Sequence, residues 1–111
     1  MKNYLHGYGR TLELELGKLD TQPLTKRNAE LLKKFHKHNV MRDLSLPRQL
    51  KYLSALRPIA LTIKKDFDKA TKEDYEDLII GFKKRDLALL TIDTYKKILK
   101  VFHKWLSGAE T

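Results

Sequence analysis

The chain has 111 residues, with 23 Lys and Arg against 14 Asp and Glu and a formal charge of +9. That length suits one small domain with one core, and it excludes most catalytic architectures, which run to about two hundred residues or more. Cysteine is absent, which removes disulfides and thiolate chemistry; with no long apolar run and no apolar signal core, the expectation is a basic, non-membrane domain in the cytoplasm.

Proline, glycine and capping residues divide the chain into five helix-like stretches. In the first, Leu5, Tyr8, Leu12, Leu16 and Leu19 keep a helical spacing. Leu12-Glu13-Leu14-Glu15-Leu16 also alternates like a strand, and Gly7, Gly9 and Gly17 weaken both readings. A helix over about 6–20 is preferred, closed by Asp20-Thr21-Gln22-Pro23, and residues 1–24 are treated as an N-terminal arm. Thr25 then caps a helix over roughly 26–39 with the stripe Ala29, Leu31, Leu32 and Phe35, ending at Asn39. Ser45 caps the next, with Pro47 in its first turn and Leu46, Gln49, Leu53, Leu56 and Ala60 as its apolar stripe. Pro58 is expected to kink or end it near Arg57. Thr71-Lys72-Glu73-Asp74 resembles a capping box and opens a short helix through about Lys83, with Tyr75, Leu78, Ile79 and Phe82 inward. The last helix, about 89–106, has the clearest amphipathic pattern, on Ile92, Tyr95, Leu99, Phe102 and Leu106. No segment reads firmly as a strand, so the predicted class is all-α, a bundle with short loops.

The charge is unevenly distributed. Residues 1–24 balance at three basic and three acidic; residues 25–57 carry nine basic and two acidic. Residues 58–77 reverse sign, at four basic and six acidic, and residues 78–111 return to seven basic and three acidic. Such a distribution fits either a polarised surface for a polyanionic partner or a solvated lysine-rich exterior. An internal echo bears on the choice. Arg48-x3-Tyr52-x3-Leu56 and Thr91-x3-Tyr95-x3-Leu99 are offset by 43 residues, each on a helix that follows a shorter one. Tyr and Leu four apart pack on one core face, which is the simpler account of the echo. The polar sides say more. Opposite the last helix's core stripe lie Asp93, Lys97, Lys100 and Lys104, with Lys96 at the edge; on the earlier helix Arg48, Lys51, Ser54 and Ala55 point outward. Two helices that are each basic opposite their core stripes favour a DNA-facing surface.

Four stretches now form a recognisable series: Asn28-Ala29-Glu30-Leu31-Leu32-Lys33-Lys34-Phe35; Lys51-Tyr52-Leu53-Ser54-Ala55-Leu56; Lys65 through Asp74; and Thr91-Ile92-Asp93-Thr94-Tyr95-Lys96 with Phe102-His103-Lys104-Trp105-Leu106. In this order and spacing they resemble the N-terminal core-binding domain of tyrosine recombinases, the phage-integrase and Xer-like site-specific enzymes, and above all archaeal integrases. The resemblance covers residues 25–106. It implies a SAM-like four-helix bundle of two crossed helix hairpins, with the N-terminal arm or helix added, and a domain over 25–108 that closes one side of a clamp around double-stranded DNA. It implies that helices 45–57 and 89–106 approach the major groove. The DNA-binding candidates are therefore Arg48, Lys51, Lys97 and Lys100, followed by Thr91, Thr94, Lys96 and Lys104.

The chain also departs from the family pattern. Where the family has a Ser-like cap before the fourth helix it has Ala88, and where the family has Thr it has Arg48. Family catalysis uses an Arg, a His-x-x-Arg pair and a tyrosine nucleophile in a separate C-terminal domain. No His-x-x-Arg occurs here, so no catalytic residue is assigned, and residues 109–111 are expected to begin a linker to such a domain. That catalytic domain and neighbouring recombinase subunits are the implied protein partners. The alternative is a helical protein-interaction module, using the Leu-rich arm or a patch around Val101 and Trp105. No metal or cofactor is expected. His36 and His38 point about 200° apart on a helix, Gly7-Tyr8-Gly9 lacks the rest of a phosphate loop, and the acids of 66–77 lack calcium-loop spacing. His103 is expected to extend the basic face.

Overall fold

The computed structural model describes residues 2–109, and the side chains of residues 7–108. Five helices run in order: α1 (Lys2–Thr21), α2 (Lys26–Met41), α3 (Leu46–Ile63), α4 (Lys72–Lys84) and α5 (Leu89–Ala109). There is no strand among the described residues. The Leu5 side chain of the α1 stripe and the expected linker residues, apart from the backbone of Ala109, lie outside the described residues.

The caps form as their chemistry requires. Thr25 and Ser45 accept from the backbone N–H of Asn28 and Arg48. Thr71 and Asp74 make a reciprocal capping box, with aspartate acting where glutamate is usual. The first turn of α5 has no such help, because Ala88 occupies the position whose carbonyl accepts from the Ile92 N–H.

Helix ends differ from expectation in α1, which starts at Lys2, in α5, which runs through Gly108 to Ala109 and does not stop near 106, and most of all in α2 and α3. α2 runs past Asn39 to Met41, because Asn39 is buried and the left-handed residue is Asp43, at φ 59°. Asp43 and Leu44 donate to the carbonyls of Val40 and Asn39, closing a Schellman cap. α4 ends identically: Asp86, at φ 58°, and Leu87 donate to Lys83 and Phe82. Arg42-Asp43-Leu44 and Arg85-Asp86-Leu87 are 43 residues apart, so the echo found on the following helices extends back through the turn. Hairpins α2–α3 and α4–α5 are thus built to one plan. Leu44 and Leu87, each just past a cap, pack against the core.

The other main difference is α3, which does not end at Pro58 but continues to Ile63. A proline inside a helix costs about 3 kcal/mol. Beyond it, however, Ile59 and Ala60 are fully buried and Ile63 is packed on the core, and a buried Ile alone contributes roughly 2–3 kcal/mol. The Thr62 hydroxyl donates to the Pro58 carbonyl at 2.9 Å. α3 is the central element, packed against each of the other four helices. That also corrects Ala55: it is 4% exposed and points into the core.

The most extensive helix–helix contact among the described residues is α1 on α3. Leu12 and Leu19 of α1 are buried, and Glu15 meets Arg57 in a largely buried ion pair at 2.7 Å. Arg57 also donates to the Gln22 side chain at 3.0 Å. These contacts offset the three α1 glycines, each of which costs about 0.5–1 kcal/mol in a helix. The N-terminal stretch is a helix whose buried residues belong to the same core as α2–α5.

At the other end of the core, Phe35 of α2 sits edge-on to Phe102 of α5 at 5.2 Å, with Phe67 and Trp105 beside them. Phe67 reaches this cluster from the α3–α4 loop. Asn28, fully buried on α2, holds that loop: its amide donates to the Lys65 carbonyl at 2.9 Å and accepts from the Phe67 N–H at 2.7 Å.

Candidate nucleic-acid interface

α5 buries Ile92, Ile98, Leu99, Phe102 and Leu106. Its opposite face is set by that choice. Residues three, four, seven and eight apart share a helix face, so Lys96, Lys97, Lys100 and Lys104 emerge together and all four are exposed. From Lys96 to Lys104 the stripe spans about 12 Å along the axis, close to the width of the major groove. Asp93 is the one acid on it. It pairs with Lys97 at 3.0 Å, but both side chains are largely in water, and a pair of that kind is worth little.

Arg48 and Lys51 are exposed at the N-terminal end of α3, one turn apart. Among the described residues, Arg48, Lys51, Lys96, Lys100 and Lys104 make no ion pair, so their charge is not neutralised within the fold. The rest of α3 gives no basic face. Ala55 is buried, and Arg57, on the other side of α3, is committed to Glu15 of α1. The basic side of α3 is therefore confined to its first turns. Thr91 and Thr94 are half-buried, and the Thr94 hydroxyl donates back to the Leu90 carbonyl at 3.0 Å. Leu89 and Leu90, which precede them, are 76% and 79% exposed.

Elsewhere four acids form ion pairs, Glu15 and Asp20 among them. Asp68 pairs with Arg27 at 2.9 Å and Asp74 with Lys65 at 3.1 Å. The Thr71 backbone N–H and the Lys65 ammonium hold the Asp74 carboxyl below its usual range. No group of three or more His, Asp or Glu able to hold a metal occurs among the described residues. No helix there is long and apolar enough to cross a membrane.

His103 does not join the basic face. It is half-buried toward α4, where its Nε2 is hydrogen-bonded to the Tyr75 hydroxyl, with the rings edge-to-face at 4.9 Å. Burial lowers its pKa below 6.5 and raises that of Tyr75. Both groups are then held uncharged, joined by a single hydrogen bond between the phenol oxygen and the imidazole nitrogen. This pair lies in a groove of about 810 Å³ between α4 and α5, whose walls also include Lys72, Ile79, Ile80, Lys96 and Lys100. A second recess, about 690 Å³, places Arg42, His38 and Trp105 beside Lys104. Val101 is on its edge, and Trp105 is packed against Phe35 and His38.

The sequence reading missed Lys72 as a neighbour of the α5 lysines and the Tyr75–His103 contact. Both join residues on two helices, and only the spacing within each helix is visible in sequence. Comparison with protein-family models, curated proteins and solved structures finds no match to this chain.

Proposed function

We propose that this chain is a DNA-holding module, of the kind the core-binding domain of a tyrosine recombinase provides, with a SAM-like arrangement of its two hairpins. In this reading it clamps double-stranded crossover-site DNA in the cytoplasm, and a separate catalytic domain cleaves and joins the strands. The observation that carries it is the α5 face: four exposed lysines in three turns, opposed by one weakly paired aspartate. Lys96, Lys97, Lys100 and Lys104 fix the register on phosphates, while Arg48 and Lys51 add a second contact from α3. Arg48 also has the donor fork that reads a guanine edge.

Fluorescence anisotropy with a labelled duplex tests this. Lys97→Ala with Lys100→Ala should weaken binding about tenfold, since each phosphate contact contributes separately, without lowering Tm, because both side chains are in water. Unchanged affinity, or a collapsed Tm, contradicts it. A protein-interaction role without DNA contact is the second reading, favoured by Leu14, 60% exposed on α1. Leu14→Glu would then convert an associated species to monomer in light scattering, and a wild-type chain that is already monomeric refutes it.

A further inference from the structure

The groove between α4 and α5 differs in chemistry from the lysine face beside it. Its floor is made by Ile79 and Ile80 of α4, Leu99 of α5 and the Tyr75 ring. Ile80 is 49% exposed, an aliphatic side chain left in water on an otherwise polar helix side. Tyr75 and His103 do not make the floor polar, because each satisfies the other's hydrogen-bonding atom. The rim is cationic on both walls: Lys72 rises from the first turn of α4, and Lys96 and Lys100, one turn apart, from α5. Glu76 is the only acid lining the groove, and none of the three lysines has an ion-pair partner among the described residues.

A DNA phosphate can use the rim but not the floor. Filling both requires an apolar ridge flanked on its two sides by carboxylates. That is the surface of an acidic amphipathic helix, with aliphatic anchors at i, i+3, i+4 and i+7. We infer that the α4–α5 groove is a docking site for an acidic amphipathic helix of a partner protein, seated with its aliphatic side chains against Ile79, Ile80 and Leu99 and its carboxylates on Lys72, Lys96 and Lys100.

Two of these lysines, Lys96 and Lys100, also belong to the proposed DNA face. On that reading an acidic helix and a duplex cannot be held at α5 together, and the partner releases DNA. The seating itself does not depend on the DNA reading.

The probe is a fluorescein-labelled helical peptide of about sixteen residues with Leu at i, i+3, i+4 and i+7 and Glu on both flanks. It is titrated with the full chain and followed by anisotropy. Ile80→Gln leaves every charge in place and lies half in solvent, so the fold is expected to stand, as a thermal melt checks. It should raise the peptide Kd at least fivefold and leave the Kd for duplex within twofold. A peptide with Ser for Leu, or Lys for Glu, should bind at least tenfold more weakly. An Ile80→Gln protein with unchanged peptide affinity, equal binding of the Ser peptide, or no binding of the parent peptide overturns the proposal. Competition by unlabelled duplex separates the two readings. Displacement supports shared lysines, and Ile80-dependent binding without displacement supports the groove while counting against DNA on α5.

Discussion

Replacing Arg57 with methionine keeps most of the stem that packs between α1 and α3 but removes the guanidinium. In the native fold that group donates from Nε to Glu15 Oε2 at 2.7 Å, from Nη2 to Oε1 at 3.4 Å, and from Nη1 to Gln22 at 3.0 Å. The side chains of Arg57 and Glu15 are only 16% and 10% exposed. Without Arg57, Glu15 keeps a single cation, Lys18 at 3.3 Å, which is itself partly in water. Breaking a buried pair from one side costs about 3–5 kcal/mol. Since Lys18 remains, the lower end applies, about 3 kcal/mol, a sizeable part of the ~5–15 kcal/mol typical of a domain. Tm should fall by roughly 12–18 °C in a circular-dichroism melt.

The pH dependence of that loss follows from Glu15. Burial raises its pKa, but the Arg57 hydrogen bond and charge, with help from Lys18, lower it further, to a net value below 4.5. A carboxylate with a depressed folded pKa contributes stability above its unfolded pKa and loses it as pH falls through the folded value. The Arg57→Met deficit should therefore be full near neutral pH and shrink on acidification into that window. Arg57→Met with Glu15→Leu, which removes both charges, should recover most of the stability. A single variant within about 1 kcal/mol of wild type, or a double variant no better than the single, refutes the account of how α1 is attached.

Three further outcomes follow from the fold. Asn28→Ala leaves the Phe67 N–H and Lys65 carbonyl unpaired, and should cost about 2–3 kcal/mol in urea unfolding; a loss below ~0.5 kcal/mol would show that the α3–α4 loop is held by other contacts. Ala88→Ser gives α5 an N-cap and should stabilise by about 1 kcal/mol, read as a higher urea midpoint at constant m. His36 and His103 both have pKa values lowered by burial. The unfolded chain then binds more protons below about 6.5, so Tm should drop as pH is lowered from about 7 toward 5, and His36→Gln with His103→Gln should flatten that slope.

Helix existence was legible from α2 to α5, because core stripes at 3–4 spacing and side-chain caps are local signals, while over α1 the alternation of Leu12 to Leu16 and three glycines left a strand open. Thr25, Ser45 and the Thr71–Asp74 box were readable in this way. What was hidden depends on who lies beside whom. The continuation of α3 through Pro58 is decided by the burial of Ile59 and Ala60 among four neighbouring helices, which outweighs the local cost. Ala55 looked outward because its wheel was drawn with one core face, whereas α3 is packed against all four other helices. His103, between lysines in sequence, turns inward because Tyr75 waits on another helix. The candidate interface was half legible: the α5 lysines followed from their helix wheel, while the basic side of α3 proved limited to Arg48 and Lys51. The repeated Arg-Asp-Leu turn was present in the sequence throughout. Its meaning appears only with the left-handed Asp43 and Asp86.

The salt dependence of duplex binding tests the central claim most directly. If Arg48, Lys51 and the α5 lysines neutralise about five phosphates, log affinity should fall against log salt with a slope near −4 to −5, and Lys97→Ala with Lys100→Ala should reduce its magnitude by about 2. A slope near zero, or one that the double variant leaves unchanged, contradicts the assignment of these lysines to DNA.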